Sequence, residues 1–219
     1  MAEPLLELRD VRASYGKIEV LHGVDLVVPQ GSVVALLGPN GGGKTTTLKV
    51  ASGQMVPTAG CVHVGGRHVN GAPADALARL GLCTIPEGRG IFPNLTVREN
   101  LEFAGRMLAL ADIPSAVAGA MATAALILHA GERVKTLSSG WQKRVALARL
   151  HMQSPMLLLL DEPYNSLDAE GAEIVNALLE GTRSRGGAAV VVTHSVAQAG
   201  GVVSRSLSLR AGLLDGEAQ

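Results

Sequence analysis

A glycine-rich segment, "GPNGGGKT" at residues 38–45, has residue types and a spacing suited to phosphate binding. It matches GxxxxGK[ST], follows a predicted strand and precedes a predicted helix, which is the context that this pattern requires. Glycines let consecutive backbone N–H groups converge on phosphate oxygens at the positive end of a helix dipole. We expect Lys44 to reach the β- and γ-phosphates of a nucleotide and the Thr45 hydroxyl to bind Mg²⁺. The residues predicted to bind the nucleotide here are Gly38, Pro39, Asn40, Gly41, Gly42, Gly43, Lys44, Thr45 and Thr46.

Two acidic residues follow the apolar run in "LLLLDEP". Successive residues of a strand point to opposite faces, so we expect Asp161 and Glu162 to have different tasks. Asp161 is predicted to hold Mg²⁺, directly or through water, and Glu162 to polarise a water molecule that attacks the γ-phosphate. Without the glycine-rich loop, the same acids would fit a solvated turn at the end of a strand.

His194 follows another apolar segment, "AAVVVT". The carboxyl ends of parallel strands meet at one edge of a sheet, and ligands bind at that edge. A lone histidine is more often structural or simply exposed, but this position predicts contact with the γ-phosphate. The loop, the acids and the histidine together predict hydrolysis of a nucleoside triphosphate, and the lack of an NKxD motif argues against a GTPase.

These residues need a sheet that brings their strands together. Strands alternate with helices in the second half of the chain, which indicates a mostly parallel sheet. The predicted fold class is α/β, with a phosphate-loop NTPase core, an N-terminal antiparallel β subdomain and a small inserted helical subdomain. Residues 1–219 are predicted to form a single domain, with the helical subdomain at about residues 96–150. Thr96 and Glu99 fit a capping box at its start.

The residue patterns also predict individual segments. The expected helices are residues 44–53, 74–81, 96–129, 141–151 and 169–185, and the expected extended segments are a hairpin at 61–71 and strands at 82–85, 156–160, 188–193 and 205–210. Short, partly antiparallel strands are expected before residue 38.

Composition excludes several other classes of protein. The formal net charge is zero, whereas nucleic-acid-binding proteins usually carry a basic excess, so no nucleic-acid partner is expected. No apolar run approaches the roughly 20 residues that span a bilayer, and the N-terminus lacks a signal-peptide pattern. Cys61 and Cys83 lack the spacing of a zinc site and read as reduced core thiols. The chain is therefore expected in the cytoplasm.

With these motifs in place, the chain resembles the ATP-binding cassette (ABC) ATPases, the nucleotide-hydrolysing subunits of ABC transporters. The resemblance covers nearly the whole chain and depends on "GPNGGGKTT", "LSSG", "LLLLDEP", "SLD" and "VVVTHS", in the family's order. The "LSSG" segment gives it specificity, because other phosphate-loop classes lack it. The resemblance implies ATP and Mg²⁺ as cofactors, a second ATPase subunit in a homodimer or heterodimer, and transmembrane permease subunits. It also implies a peripheral location on the inner face of the cell membrane.

The resemblance assigns further site residues. Tyr15 matches the aromatic residue that stacks on adenine, and Glu87 stands in the segment that joins the core to the helical subdomain. Ser138, Ser139 and Gly140 match the signature that clamps the γ-phosphate of ATP bound by the other subunit, and Asp168 lies in the loop that communicates across the dimer. Trp141 stands where the family mostly has Gln or Glu, and either packs against the helical subdomain or a partner, or weakens closure of the dimer.

The resemblance divides between subfamilies. Residues 5–101, with "PEGR" at 86–89, are similar to branched-chain amino-acid importer ATPases. This similarity implies that the transported cargo is a branched-chain amino acid. Residues 137–219 and the short helical subdomain are more similar to exporter-type cassettes, including those of cytochrome c biogenesis. Two alternatives are a soluble ABC protein of DNA repair or translation and a degenerate regulatory half that binds ATP without turnover. The first usually has coiled-coil insertions or paired cassettes, which are not visible here. The intact lysine, acids and histidine argue against the second, whereas Trp141 keeps it open.

Overall fold

The computed structural model describes residues 4–85, 90–199 and 201–217. The strands are β1 Pro4–Tyr15, β2 Ile18–Pro29, β3 Val33–Leu37, β4 Ala59–Val64, β5 Arg67–His68, β6 Leu82–Ile85, β7 Leu157–Asp161, β8 Ala188–Val192, β9 Arg205–Arg210 and β10 Leu213–Glu217. The helices are α1 Lys44–Ala51, α2 Ala74–Arg79, α3 Val97–Met107, α4 Ile113–Thr123, α5 Ser139–Gln153 and α6 Ala169–Ser184, with 3₁₀ turns at Ile127–His129, Val134–Thr136 and Ala197–Ala199. Within the described residues, no helix combines the length and the apolar character that a membrane span requires.

Two sheets contain the strands. The first is antiparallel, with the order β2-β1-β4-β5, and the second has the order β10-β9-β3-β8-β7-β6. In the second sheet, β3 pairs in parallel with β8 and β9, β7 pairs in parallel with β8, and only the β9–β10 pair is antiparallel among the pairs whose register is described. This arrangement confirms the predicted α/β fold class, with a mostly parallel sheet and an antiparallel sheet formed largely by the N-terminal strands.

Residue type explains where each sheet is buried. Strands β3 and β7 have four buried residues before a half-buried last residue, and all five residues of β8 are buried. Uninterrupted Val, Leu and Ala runs of this kind are typical of parallel strands that are covered on both faces. In the second half of β2, by contrast, buried and exposed residues alternate, as expected of a strand with one solvated face.

The described residues cluster into two compact units. One comprises those of Met1–Thr84, Pro155–Pro163 and Leu179–Gln219, and carries the two sheets. The other comprises those of Ile85–Ser154 and Tyr164–Leu178, and its apolar core is formed mainly by α3, α4 and α5. The assignment of residues 1–219 to one domain, with a helical insertion at about 96–150, stays a prediction.

The capping box that opens α3 is confirmed. The Thr96 hydroxyl accepts a hydrogen bond from the Glu99 N–H at 3.2 Å, and the Glu99 carboxylate accepts one from the Thr96 N–H at 2.7 Å. These two bonds satisfy backbone donors that a helix N-terminus otherwise leaves without partners. They also lower the pKa of Glu99, chiefly through the Thr96 N–H.

Several predicted boundaries were wrong. The helical pattern of residues 96–129 is two helices and a 3₁₀ turn, because Pro114 and the N-cap residue Asp112 start a new helix at Ile113. The helix expected at residues 141–151 begins at Ser139, so the glycine of "LSSG" lies inside it. The first two strands are 12 residues each and form one hairpin, and the last strand, β10, was not predicted.

Candidate functional site

The glycine-rich loop connects the carboxyl end of β3 to α1. Gly38 has φ +146°, and a Cβ at this position would collide with the carbonyl oxygen of Leu209 in β9. Gly43 is the N-cap of α1 with φ +105°, and no side chain caps this helix terminus. Glycine is therefore required for the loop to follow this path, and the N–H groups of the first turn of α1 are left for an external acceptor.

Lys44 is held over the loop as a nearly buried cation. Its side-chain Nζ donates hydrogen bonds to the carbonyl oxygens of Gly38 at 2.7 Å and Pro39 at 3.0 Å, and the residue is only 7% exposed. Among the described residues, no carboxylate lies within ion-pair distance of it. Neutral carbonyl groups compensate such a charge only in part, so an anion would add a strong partner.

The predicted acids and histidine follow neighbouring strands of the same sheet. Asp161 ends β7, Glu162 follows it, and His194 comes shortly after β8. The N–H of Glu162 donates to the Val192 oxygen at 2.9 Å, and the N–H of Thr193 donates to the Leu36 oxygen at 3.3 Å. Because β3, β8 and β7 are adjacent and parallel, the glycine-rich loop, the acids and the histidine all lie at one edge of the sheet.

Sequence analysis attributed the different directions of the Asp161 and Glu162 side chains to the alternation of residues along a strand, but Glu162 lies beyond the end of the strand. Strand β7 ends at Asp161, and Glu162 has φ +45°. This left-handed conformation costs a glutamate about 1–3 kcal/mol and is concentrated at functional sites. It turns the chain away from the strand, so the alternating pleat does not set the direction of the Glu162 side chain.

Glu162 and His194 form a pair that sequence analysis did not predict. The His194 Nε2 atom lies 3.0 Å from the Glu162 Oε1 atom, and their side chains are 52% and 13% exposed. The two residues are 32 positions apart in sequence, and only the parallel β7–β8 pairing brings them together. Both were predicted as catalytic, but no sequence signal indicates that they touch.

Tyr15 lies at the end of β1 and is about half exposed. Lys49 of α1 donates to its hydroxyl at 3.1 Å. Hydrogen bonding by Lys49 and, to a lesser degree, by Thr46 lowers the pKa of the Tyr15 phenol despite partial burial. These contacts link the exposed ring to the helix that follows the glycine-rich loop.

The segment "LSSGWQKR" lies in the second compact unit. Ser138 is the N-cap of α5, with Ser139 and Gly140 in its first turn. A Cβ at Gly140 would lie 2.5 Å from the backbone oxygen of Ser166, so glycine allows this loop to approach the helix. The Trp141 ring packs against His129, with ring centroids 4.2 Å apart, and beneath the Arg144 guanidinium at 4.5 Å.

Arg144 and Asp168 were not expected to interact. The Arg144 Nη2 atom lies 2.6 Å from Asp168 Oδ1, and its Nη1 atom lies 2.8 Å from Glu170 Oε2. Burial lowers the pKa of Arg144, but the hydrogen bonds to these carboxylates outweigh it and raise the pKa overall. The N–H of Gly171, followed by Arg144, lowers the pKa of Asp168. Sequence analysis placed Asp168 in the loop that communicates across the dimer and did not single out Arg144.

Comparisons with known proteins identify the family. The family model described as "ABC transporter" matches residues 21–165, more than half of the chain. The chain belongs to the ABC transporter family. An ABC relative from Cupriavidus metallidurans, the cytochrome c biogenesis ATP-binding export protein CcmA 2, is 37% identical over 93% of this chain and 95% of its own length. The spermidine/putrescine import ATP-binding protein PotA of Legionella pneumophila (strain Paris) is 41% identical over 77% of this chain, which spans about half (46%) of that protein.

A solved ABC structure has the same fold. It is the dimeric post-hydrolysis state of an ATP-binding cassette bound to ADP and Pi, with a TM-score of 0.86, 27% identity and 98% coverage of both chains. The chain is therefore an ABC-family ATPase and the ATP-binding subunit of an ABC transporter. Neither curated relative named above is described as a branched-chain amino-acid transport protein. Glu87, the candidate residue in "PEGR", lies outside the described residues.

The residues of this ABC ATPase fit Mg-ATP. The uncapped α1 terminus and the nearly buried Lys44 suit a polyphosphate. Across residues 4–85, 90–199 and 201–217, no three His, Cys, Asp or Glu side chains are grouped closely enough to form a metal site of their own. Mg²⁺ usually binds through one or two protein oxygens together with substrate phosphates and water, and the exposed Thr45 and half-buried Asp161 match that donor set.

Proposed function

We propose that this chain binds and hydrolyses ATP through residues at the carboxyl edge of its parallel sheet, and works as a dimer that drives a membrane permease. The observation that carries the proposal is the convergence of three strand ends, which brings Lys44, the acids and His194 to the same edge. The proposed location is the inner face of the cell membrane.

ATP binding is assigned to the glycine-rich loop and Tyr15. The N–H groups of Asn40, Gly41 and Gly43 and those of the first turn of α1 are directed at the phosphates. Lys44 contacts the β- and γ-phosphates, and Tyr15 stacks on adenine through its exposed ring. Thr45 and Asp161 would hold Mg²⁺, which neutralises part of the phosphate charge when it is bound.

Hydrolysis is assigned to Glu162 and His194. The Glu162 carboxylate accepts a proton from the attacking water as the bond from the γ-phosphorus to the bridging oxygen breaks. His194, 3.0 Å from that carboxylate, orients Glu162 and is exposed enough to contact the γ-phosphate as well. The left-handed backbone at Glu162 supports this role, because strain of this kind is kept where function requires it.

The signature segment is assigned to the other subunit's nucleotide. Ser138 and Ser139 offer hydroxyl groups, and the N-terminus of α5 offers N–H groups and a positive dipole end, to a γ-phosphate held by the second copy or by a homologous cassette. Asp168 acts in the same loop region, and Glu87 in the connection to the helical subdomain. The similarity to a dimeric cassette bound to ADP and Pi supports this arrangement.

For the transport reaction, we favour a compact exporter-type cassette. The relatives named as cytochrome c biogenesis ATP-binding export proteins match this chain along most of both lengths, whereas the polyamine importer match covers less than half of that protein. Branched-chain amino acids are the alternative cargo and depend on "PEGR" at residues 86–89. Affinity purification from native membranes tests this choice, because the co-purifying permease identifies the subfamily.

The proposed ATP site is tested with Lys44→Ala and Lys135→Ala. Loss of Lys44 removes the charge-assisted partner of the triphosphate, an interaction worth about 1.5–3 kcal/mol or more, so the MgATP affinity measured by calorimetry should fall by at least about 10- to 150-fold. Lys135 is exposed and far along the chain from the loop, so its alanine variant should bind MgATP like the parent. Equal affinity in Lys44→Ala and the parent would show that the glycine-rich loop does not bind the triphosphate.

A further inference from the structure

The loop of residues 164–168 is fastened to the first half of α5 at three points. Lys143 Nζ donates to the Asn165 oxygen at 3.0 Å. Gly140 leaves room for the Ser166 oxygen. Arg144 holds Asp168. Each contact uses a different residue of the helix and a different residue of the loop, so the loop is attached to α5 at three separate positions.

Arg144 is the most deeply buried of these contacts. Its side chain is 3% exposed, while the side chains of Asp168 and Glu170 are 68% and 63% exposed. The Trp141 ring covers its guanidinium. A planar guanidinium that bonds two carboxylates through separate nitrogens fixes direction as well as distance. Simple capping of α6 does not require Arg144, because the Gly171 N–H already donates to Asp168 at 2.9 Å.

We propose that Arg144 is a positioning residue that holds the 164–168 loop in register with the start of α5. Ser138, Gly140 and Asp168 then present one rigid surface to the nucleotide of the second subunit. The inference extends the proposed function and rests on it, since the surface matters only if these residues meet ATP bound by another copy. It assigns a task to Arg144 and Glu170, which lie outside the set of residues proposed to bind the nucleotide.

The test uses the full chain with Glu170→Gln and the matched control Glu173→Gln. Both glutamates are exposed and lie on α6, one turn apart, and the ion pair with Arg144 is made by Glu170. We expect Glu170→Gln to bind MgATP as the parent does and to keep its melting temperature, but to lower turnover at saturating ATP about 10-fold, because sub-ångström misplacement of a reacting surface has large effects on rate. Glu173→Gln should match the parent in all three measurements.

A second pair of variants separates positioning from folding. Arg144→Met should lower turnover further, and Arg144→Lys should recover part of the loss, because lysine keeps the charge but not the two-pronged geometry. Parental turnover in both Glu170→Gln and Arg144→Lys would overturn the inference while leaving the proposed function intact. A parent chain that neither binds nor hydrolyses MgATP would overturn the proposed function and this inference with it.

Discussion

Gly140→Ala should destabilise the protein, because the added methyl group would collide with a backbone oxygen of the same chain. The Cβ of an alanine there would be 2.5 Å from the Ser166 oxygen, whereas ordinary contact begins at 3.4 Å. The loop would have to retreat by up to about 0.9 Å, and overpacking of this kind costs about 1–3 kcal/mol. Ser166 cannot move easily, since it has φ +65° and its neighbours are held by Lys143 and Arg144.

Gly119→Ala provides the matched control. Gly119 also lies inside a helix, α4, but a Cβ there would meet nothing within 4 Å. Alanine gains up to about 1 kcal/mol over glycine in a helix, and a comparison of the two variants largely cancels this gain. Gly140→Ala should therefore be less stable than Gly119→Ala by about 1–3 kcal/mol, which corresponds to about 2–12 °C in melting temperature for a chain of this length.

The assay is thermal unfolding of the nucleotide-free chain, followed by circular dichroism. Equal melting temperatures for the two alanine variants would refute the internal clash and leave the partner's phosphate as the only reason for glycine at this position. Gly140→Asp, which should abolish turnover by placing a negative charge against that phosphate, is a less clean probe because its Cβ meets the same Ser166 oxygen.

The remaining predictions concern Trp141 and Cys83. Trp141→Gln should lower the free energy of unfolding by about 1–3 kcal/mol, because the contacts of the ring with His129 and Arg144 are lost. It should leave ATP turnover unchanged. A clear rise in turnover at unchanged ATP affinity would instead support the interpretation that Trp141 impairs closure of the dimer. Burial raises the pKa of the Cys83 thiol to about 11, so at pH 8 its thiolate fraction is about 10⁻³, against about a quarter for a free thiol. In Cys61→Ser, alkylation by iodoacetamide at pH 8 should be about 250-fold slower in the folded than in the denatured chain and should accelerate between pH 8 and 10. Equal folded and denatured rates would contradict this burial.

Local chemistry in the sequence was enough to predict the fold class and the edge of the sheet where the candidate residues lie. The apolar runs of β3, β7 and β8 and the turn residues between them determine which segments are parallel strands, and the motif at residues 38–45 carries its own structural context. Strand β10 was missed because "LLDGE" is short and contains a glycine, and only its pairing with β9 makes it a strand.

The contacts within the site could not be predicted in the same way. The pair formed by Glu162 and His194 depends on which strands are adjacent, and the partners of Arg144 depend on how the 164–168 loop packs on α5. The left-handed backbone at Glu162 runs against the ordinary preference of glutamate, so propensity alone predicts the wrong conformation. Tertiary structure decided each of these features.

Glu162→Gln tests the central claim most directly, because glutamine keeps the shape of the side chain and its ability to accept a hydrogen bond from His194, but cannot take a proton from water. MgATP affinity should stay within about twofold of the parent, turnover should fall by roughly 10²–10⁴-fold as expected for loss of a general base, and light scattering should detect a dimer that persists only while ATP is present. Turnover at the parental rate, with no ATP-dependent dimer, would contradict the assignment of hydrolysis to this edge of the sheet.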